Sequence, residues 1–126
     1  MIIGAPKEIA ADEKRVAMTP DSSLQLQKLG YECIIQSGAG ANAGFPDAAY
    51  HAVGVKVAKT ATELWKSSDI ITKVRPPEAK EIKHLTRGKL LISFFYPAQN
   101  PDLMALIAKN NANIIAMDMV PRISRA

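Results

Sequence analysis

The chain has 126 residues, of which 48% are hydrophobic and 22% charged, which is enough for one domain with its own hydrophobic core. Its net charge of +4 is mild, and its Lys and Arg residues are dispersed from Lys7 to Arg125, which argues against a nucleic-acid-binding protein. With one cysteine, Cys33, no signal peptide and no membrane-spanning run, the sequence predicts a cytoplasmic protein that meets a membrane only through partners.

Short apolar runs alternate with segments of helical period along the chain. The apolar runs predict six strands, at residues 2–5, 32–36, 55–58, 70–74, 90–95 and 113–117. The intervening segments predict helices at 20–29, 46–53, 62–67, 78–85 and 101–110. Thr19 and Asn100 are candidate N-caps, and Gly30, Gly54 and Gly88 are candidate helix ends.

Repeated strand–helix–strand units require right-handed crossovers and a parallel sheet that helices cover on both faces. Such a sheet also explains why the predicted strands are nearly continuous apolar runs. The sequence therefore predicts an α/β fold, a doubly wound parallel sheet sandwich of Rossmann-like or flavodoxin-like type, with residues 1–126 as a single domain.

A glycine-rich stretch at residues 38–43 fits the permissive form of a dinucleotide-binding fingerprint and follows a predicted strand. Its context argues against that function. In the fingerprint the last position opens a helix whose N–H groups face a pyrophosphate, whereas Gly44 and Phe45 precede Pro46 here. The strand that follows leads into Lys59 and not into an acidic residue. A glycine-rich connection is the favoured interpretation.

Ligands of parallel sheets gather at the carboxyl ends of the strands, and this sequence places several polar residues there. They are Lys7, Glu8 and Arg15 after the first strand, Lys73 and Arg75 after the fourth, Tyr96 and Gln99 after the fifth, and Asp118 and Arg122 after the sixth. Arginines at three of these ends predict an anionic or carboxamide-bearing ligand, because a guanidinium presents a planar fork of donors.

Each candidate also has a simpler explanation. Arg15 and Arg75 could form surface ion pairs with Glu8 or Glu78, and Tyr96 could be a half-buried core aromatic. His51 and His84 are expected to lie solvated on helices. No spacing of His, Cys, Asp or Glu suggests a metal site, and no nucleophile has a base nearby.

The residues after the last predicted strand, 118–126, form a charged loop that leads to no further element. A loop past the carboxyl end of a parallel strand is where α/β enzymes place functional groups. We therefore expect the chain to carry half of a site and to be a piece of a larger enzyme.

Five motifs together resemble one family, the amino-terminal domain shared by alanine dehydrogenases and nicotinamide nucleotide transhydrogenases. They are Pro-Lys-Glu at 6–8, Arg-Val-Ala-Met-Thr-Pro at 15–20, Gln-Ser-Gly-Ala-Gly at 36–40, Lys-Val-Arg-Pro-Pro at 73–77 and Met-Val-Pro-Arg-Ile-Ser-Arg-Ala at 119–126. The motifs occur in order over essentially the whole chain, which makes the resemblance more specific than any single motif.

Within this family, the resemblance points to the transhydrogenase branch. Alanine dehydrogenases handle their keto acid with a lysine and a histidine, which correspond to Arg75 and Tyr96 here. Neither an arginine nor a tyrosine is a base near neutral pH, so amino-acid oxidation is not expected. The segment at 119–126 is similar to a segment of the alpha subunit of proton-translocating transhydrogenases, which move hydride from NADH to NADP⁺.

The resemblance implies a site that is completed elsewhere. In transhydrogenases a loop supplies an arginine near the nicotinamide, and Arg122 matches it, which implies a catalytic and cofactor-binding role. Arg15, Arg75 and Tyr96 are further candidates for cofactor binding. Most of NAD(H) would bind to an NAD-binding domain absent from these residues, NADP(H) would bind to a partner component, and no metal is implied.

The implied partners are a second copy of the subunit and the NADP-binding and membrane components of the enzyme. Through them the protein would sit at the cytoplasmic face of a bacterial inner membrane, without inserting directly. An apolar face should be exposed where further helices of the family pack, which predicts self-association. By itself the chain is expected neither to turn over nor to bind NADH tightly.

Two other functions remain open. The first is an alanine or saccharopine dehydrogenase relative that acts on an amino or keto acid through Arg15 and Arg75. The second is a noncatalytic α/β module that binds a small anion at the same basic strand ends.

Overall fold

The computed structural model describes residues 1–86, 88–110 and 112–119 of the chain. Six strands form one sheet: β1 (Ile2–Ala5), β2 (Glu32–Gln36), β3 (Lys56–Ala58), β4 (Ile70–Thr72), β5 (Leu90–Ser93) and β6 (Asn113–Ala116). Five α-helices connect them: α1 (Pro20–Lys28), α2 (Asp47–Ala52), α3 (Ala61–Ser67), α4 (Ala79–Ile82) and α5 (Pro101–Lys109). Short 3₁₀ turns occupy Ala41–Ala43, Pro97–Gln99 and Met117–Met119. The six predicted strands are confirmed, with ends that differ by at most two residues.

The strand order in the sheet is β3-β2-β1-β4-β5-β6, and every neighbouring pair is parallel. Ile3 of β1 lies between Cys33 of β2 and Ile70 of β4, which fixes the register at the centre. The predicted doubly wound parallel sheet is confirmed, and its order is the Rossmann order and not the flavodoxin one. The connection direction reverses between β1 and β4, where such folds form their ligand crevice.

The side chains of each strand alternate between two cores. One core packs strand residues Ile34, Ile71 and Leu91 against side chains of α3, α4 and α5, with Leu64, Trp65, Ile82 and Ile107 among them. The other packs Ile3, Cys33 and Ile35 against the side of α1 and α2, with Met18 and Tyr50 among its members. Cys33 is a free buried thiol, as expected, and burial raises its pKa.

Over β5 and β6 this second face is less well covered. Ile115 and Met117 are 41% and 43% exposed, and the cross-strand partner of Ile115, Ile92, is only partly buried. Burial of these apolar side chains would require another surface. Across the described ranges, the helices are too short to traverse a bilayer.

The start of α1 follows the sequence prediction closely. Thr19 accepts a hydrogen bond from Ser22 N, and Ser22 Oγ accepts one from Thr19 N, which completes a capping box before Pro20. The local sequence is sufficient here because the cap and its partners lie within one turn of helix.

Two helix predictions were wrong in detail. The helix predicted at 78–85 spans only Ala79–Ile82, and His84 lies in the following turn, partly buried, with its ring centroid 6.3 Å from that of Trp65. Asn100 occupies the N-cap position of α5 but does not cap it with its side chain. Its amide instead donates to the carbonyl oxygens of Phe95 and Tyr96, which lie past the end of β5.

The glycine-rich stretch forms a connection between β2 and α2. Gly38 N donates to Asp47 Oδ1 at 2.9 Å, and Ser37 Oγ donates to Asp47 Oδ2 at 2.6 Å. These donors lower the pKa of Asp47. A bound phosphate would need the Gly38 N–H as a donor, but this N–H already donates to a carboxylate of the protein. The geometry therefore supports the interpretation of the glycine-rich stretch as a connection.

Candidate functional site

The candidate site lies at the carboxyl edge of the sheet, where the segments that follow β1 and β4 meet. Lys73 Nζ, just past β4, lies 3.0 Å from Glu8 Oε1, just past β1, and 3.6 Å from Glu81 Oε2 of α4. The side chains of Lys73 and Glu8 are 1% and 2% exposed. We call Glu8, Lys73 and Glu81 the buried cluster. Because charges removed from water must be paired, these ion pairs hold together the segments that follow β1 and β4.

Glu8 also holds the backbone of the following residues. Its Oε2 accepts from Val74 N and its Oε1 accepts from Arg75 N, both at 3.0 Å. The carbonyl oxygen of Arg75 accepts from Ser93 Oγ of β5 at 2.9 Å. Arg75 is therefore fixed at both of its backbone polar groups, and its guanidinium projects from a rigid base.

A second group of charges lies beside the buried cluster and faces solvent. Glu13 accepts from Arg15 N, Nε and Nη2 at 2.7 to 2.9 Å, and from Arg75 Nε at 2.9 Å. Arg75 Nη2 also lies 3.3 Å from Asp12 Oδ2. We call Asp12, Glu13, Arg15 and Arg75 the open cluster. Its arginines are partly or largely exposed, whereas the Glu13 side chain between them is 3% exposed.

The pKa shifts follow from this arrangement. The hydrogen bonds from the side chain of Arg15, aided by its backbone N–H and by Arg75, hold the pKa of Glu13 far below its usual range against the opposing effect of burial. The hydrogen bond to Glu13 raises the pKa of both Arg15 and Arg75. In the buried cluster, burial raises the pKa of Glu81, and the charge of Lys73 opposes this. The guanidinium groups therefore remain charged donors and do not exchange protons near neutral pH.

Tyr96 forms the far side of the site, past β5. Its backbone has a φ of 47°, in the left-handed region that a bulky residue seldom adopts. Asp118, in the 3₁₀ turn after β6, accepts from Phe95 N at 3.0 Å and Tyr96 N at 2.8 Å. These hydrogen bonds lower the pKa of Asp118. The Tyr96 ring stacks on Phe94 with centroids 6.1 Å apart, and 41% of the residue is exposed.

Arg75 and Tyr96 line one cavity of about 670 Å³ at this edge. Its other walls come from the turn after Arg75 and from the start of α5, and include Pro76, Pro77, Gln99, Asn100 and Leu103. This volume is in the range of small-ligand sites. A planar fork of donors, an aromatic ring and apolar walls suit a flat ligand with a polar or anionic group.

The structure brings three of the predicted site residues to the same edge. Arg15 and Arg75 share Glu13 Oε1, and Arg75 and Tyr96 share the cavity. The ion-pair alternative was right in kind but wrong in partner, because the guanidinium groups pair with Glu13 and Asp12 and not with Glu8 or Glu78. The predicted catalytic residue, Arg122, lies outside the described residues.

Sequence reasoning missed Glu13 and gave Asp118 no task. Glu13 stands in a run of charged residues, and only its burial under Arg15 distinguishes it from Asp12 and Lys14. The signal in the sequence that could have identified Glu13 was its spacing of two residues from Arg15. Asp118 was expected at a strand end, and its task there is to fix the backbone of Tyr96.

In residues 1–86, 88–110 and 112–119, no three His, Cys, Asp or Glu side chains come together as metal ligands would. His51 is exposed on α2, as predicted, whereas His84 lies outside the helix predicted for it and is partly buried, with its ring near that of Trp65.

Comparison with known proteins relates this edge to one family. The family model described as alanine dehydrogenase/PNT, N-terminal domain, matches residues 4–126. The NAD(P) transhydrogenase subunit alpha of Cereibacter sphaeroides is 59% identical over 126 residues, which are 100% of this chain and 24% of that protein. The alanine dehydrogenase of Halomonas elongata is 34% identical over 120 residues, 95% of this chain and 32% of that protein.

Solved structures give the same relation. A transhydrogenase from Sinorhizobium meliloti superposes with a TM-score of 0.92 at 33% identity, over 98% of this chain and 37% of that one. An L-alanine dehydrogenase superposes with a TM-score of 0.87 at 32% identity, over 92% of this chain and 32% of that one. The chain thus spans about a quarter of the transhydrogenase alpha subunit that it matches at 59% identity. The chain belongs to the alanine dehydrogenase/PNT N-terminal domain family, and its similarity is greater to the transhydrogenase alpha subunit than to the alanine dehydrogenase.

Proposed function

We propose that this chain is the amino-terminal part of the NAD(H)-binding component of a proton-translocating NAD(P) transhydrogenase. The observation that carries the proposal is the 59% identity to a transhydrogenase alpha subunit along the entire chain. The site agrees with it, because Arg75 and Tyr96 stand where a keto-acid enzyme of this family would need a lysine and a histidine.

The residues at the carboxyl edge are suited to holding a ligand and not to moving protons. The guanidinium of Arg75 is charged and is held by Glu13 and Asp12. The backbone of Arg75 is anchored through Glu8 and Ser93, and the residue lines a cavity. Such a group can donate to a carboxamide, carboxylate or phosphate without reorganising when the ligand arrives. NAD(H), when bound, would supply the hydride, and this chemistry needs no acid or base from the protein.

We assign cofactor contact to Arg75 and Tyr96, which line the cavity, and a supporting position to Arg15, which is held through Glu13. Arg122 is proposed as the donor to the nicotinamide carboxamide. Most of NAD(H) would bind to a further domain of a longer subunit, since the glycine-rich stretch after β2 gives its Gly38 amide to Asp47. NADP(H) would bind to a partner component.

The proposed partners are a second copy of the subunit and the NADP-binding and membrane components. The partly exposed apolar side chains on β5 and β6, Ile92 and Ile115, support an additional packing surface. Through its partners the subunit would lie at the cytoplasmic face of a bacterial inner membrane. Light scattering of this chain should give a mass above 13.6 kDa, and a monomer at micromolar concentration would contradict self-association.

The proposal is tested with Arg122→Ala in the full-length subunit reassembled with its partner components. We expect transhydrogenation to slow roughly a hundredfold, as for other losses of a positioning contact, with an unchanged circular dichroism spectrum. Arg122→Lys keeps the charge but loses the planar fork, and should recover only part of the rate. Lys109→Ala, an exposed lysine at the end of α5, is the control and should retain full activity.

Unchanged turnover of Arg122→Ala would remove the role of Arg122. The function itself is tested separately by the substrates of the full-length protein. Pyruvate-dependent oxidation of NADH with ammonia would favour an alanine dehydrogenase, and absence of both activities would favour a noncatalytic anion-binding module.

A further inference from the structure

Within the part of the chain that the structure describes, Tyr96 is the one residue other than glycine with a positive φ. Its φ of 47° and ψ of 61° lie in the left-handed region, where the Cβ atom of an L-residue is crowded by its own backbone. Strained backbone persists only where the surrounding contacts hold it, and it is concentrated at functional sites. The contacts that hold Tyr96 therefore bear on the function of this edge.

The amino side of the strained residue is held by Asp118, from the turn after β6. Phe95 N donates to Asp118 Oδ1 at 3.0 Å, and Tyr96 N donates to Asp118 Oδ2 at 2.8 Å, so each carboxylate oxygen serves one N–H group. An amide side chain could not accept both hydrogen bonds in this way, because its nitrogen is a donor. The two adjacent N–H groups therefore require a carboxylate at position 118.

The carbonyl side of Tyr96 is held from within its own segment. Its carbonyl oxygen accepts from Gln99 N at 2.9 Å and from the Asn100 amide at 3.1 Å. The Asn100 amide also donates to the carbonyl oxygen of Phe95, whose side chain is fully buried. The local segment thus supplies the donors for these carbonyl groups, whereas the acceptor for the two N–H groups comes from a distant part of the chain.

This backbone determines where the Tyr96 side chain lies. Tyr96 lines the cavity of about 670 Å³ together with Arg75, and the residue is 41% exposed although its ring stacks on Phe94. The pKa of Arg15 is raised mainly by its hydrogen bond to Glu13 and to a smaller extent by Tyr96, which places the phenol near the open cluster. A different backbone at Tyr96 would carry the ring away from these neighbours.

We propose that Asp118 is a positioning residue for cofactor binding, whose carboxylate holds the strained backbone of Tyr96 and so keeps its ring at the cavity that Arg75 lines. This inference rests on the proposed function, in which Tyr96 contacts NAD(H). Asp118 acts through Tyr96, since Asp118 itself is not among the residues that line the cavity. A ring that is fixed before the ligand arrives need not be ordered at the moment of binding, which favours affinity.

Asp118→Asn in the full-length subunit tests this inference. One of the two N–H groups would then lose its acceptor, so the strained backbone should relax, and the Kd for NADH measured by calorimetry should rise roughly tenfold. A purely structural role would lower the melting temperature but leave the Kd of the folded protein unchanged. Glu32→Gln makes the same acid-to-amide change at an exposed residue at the start of β2, and as the matched control it should bind NADH as the wild type does.

A double-mutant cycle with Tyr96→Gly shows whether Asp118 acts through the tyrosine. Glycine adopts the left-handed backbone without strain and has no ring to position. Tyr96→Gly alone should also weaken NADH binding roughly tenfold, and the addition of Asp118→Asn should then weaken it no further. Such non-additivity is expected of two residues that contribute to binding through one contact.

The inference is overturned if Asp118→Asn binds NADH as tightly as the wild type, or if the effects of the two substitutions multiply. If Asp118→Asn alone does not fold, the double variant should fold, because its glycine needs no carboxylate to hold this backbone. A double variant that is equally unfolded would overturn the inference. A wild-type subunit that neither binds NADH nor, with its partner components, transfers hydride would show that the proposed function itself fails, and the inference would fall with it.

Discussion

Two charged clusters lie side by side at the carboxyl edge of this sheet, and they differ in their access to water. In the buried cluster, Lys73 is enclosed between Glu8 and Glu81. In the open cluster, Arg15 and Arg75 converge on a Glu13 that is itself covered, while both guanidinium groups reach solvent. Lys73 and Arg75 are only two residues apart in the sequence, yet they enter different clusters.

The difference separates a structural task from a binding task. Each charge of the buried cluster depends on the others, because an unpaired charge out of water is strongly unfavourable. The open cluster gains little stability from its solvated pairs, but its arginines remain available to a ligand. Glu8 connects the two, since it pairs with Lys73 and fixes the backbone N–H of Arg75.

The largest effect is expected for Lys73→Met. This change removes the cation and leaves Glu8 and Glu81 buried without their partner, which should lower the free energy of unfolding by about 3–5 kcal/mol. Urea denaturation of the chain measures the difference. Lys14→Met, at an exposed lysine in the loop of the open cluster, is the control and should change stability by less than about 0.5 kcal/mol. If the two variants were equally stable, Lys73 would contribute no more to stability than an exposed lysine, and the two clusters would not differ in their structural task.

A smaller effect is expected for Glu13→Gln, which removes the acceptor shared by both arginines. Charge-assisted hydrogen bonds are lost, so the free energy of unfolding should fall by about 1–2 kcal/mol at neutral pH. The sign of the pH dependence follows from the lowered pKa of Glu13. Its contribution is complete above the ordinary carboxyl value of 4.5 and is lost as the pH falls through the lower value of the folded state.

The gap between wild type and Glu13→Gln should therefore be constant near neutral pH and narrow in acid. Denaturation midpoints measured at several pH values test this relation. A gap that widened as the pH fell below 4.5 would show that the arginines do not hold Glu13 in its charged form.

The smallest effect on stability is expected for Arg15→Gln. Arg15 is largely exposed, so its ion pair with Glu13 is screened, and the melting temperature should fall by no more than about 2 °C. The difference should shrink further in 1 M salt, since screening acts on exposed pairs. Calorimetric melting at two salt concentrations measures it. A large fall in melting temperature that does not depend on salt would show that Arg15, like Lys73, has a structural task.

The sequence predicted those features whose causes are local. The six strands and the cap of α1 at Thr19 were found from apolar runs and from residues within one helical turn. The shortened α4 and the different task of Asn100 were not found. His84 lies past α4 with its ring near that of Trp65, and the Asn100 amide donates to Phe95 and Tyr96 in the turn after β5. The same holds for the left-handed backbone at Tyr96, which Asp118 holds from 22 residues away.

The candidate site divides in the same way. Strand ends in an alternating pattern identified Arg15, Arg75 and Tyr96 as residues at one edge, because parallel strands carry their carboxyl ends to the same side. The sequence did not identify Glu13 as the group that joins the arginines. That assignment depends on which side chains are covered.

The sequence alone predicts an α/β sheet with basic residues at one edge. It can do so because hydrophobic periodicity, helix-capping residues and the order of motifs are properties of short segments. The tertiary structure decided which of those charges are enclosed and which face a ligand. The reason is physical: the energy of a charge depends on its distance from water and from its partner, and for Lys73 that partner, Glu8, lies 65 residues away in the chain.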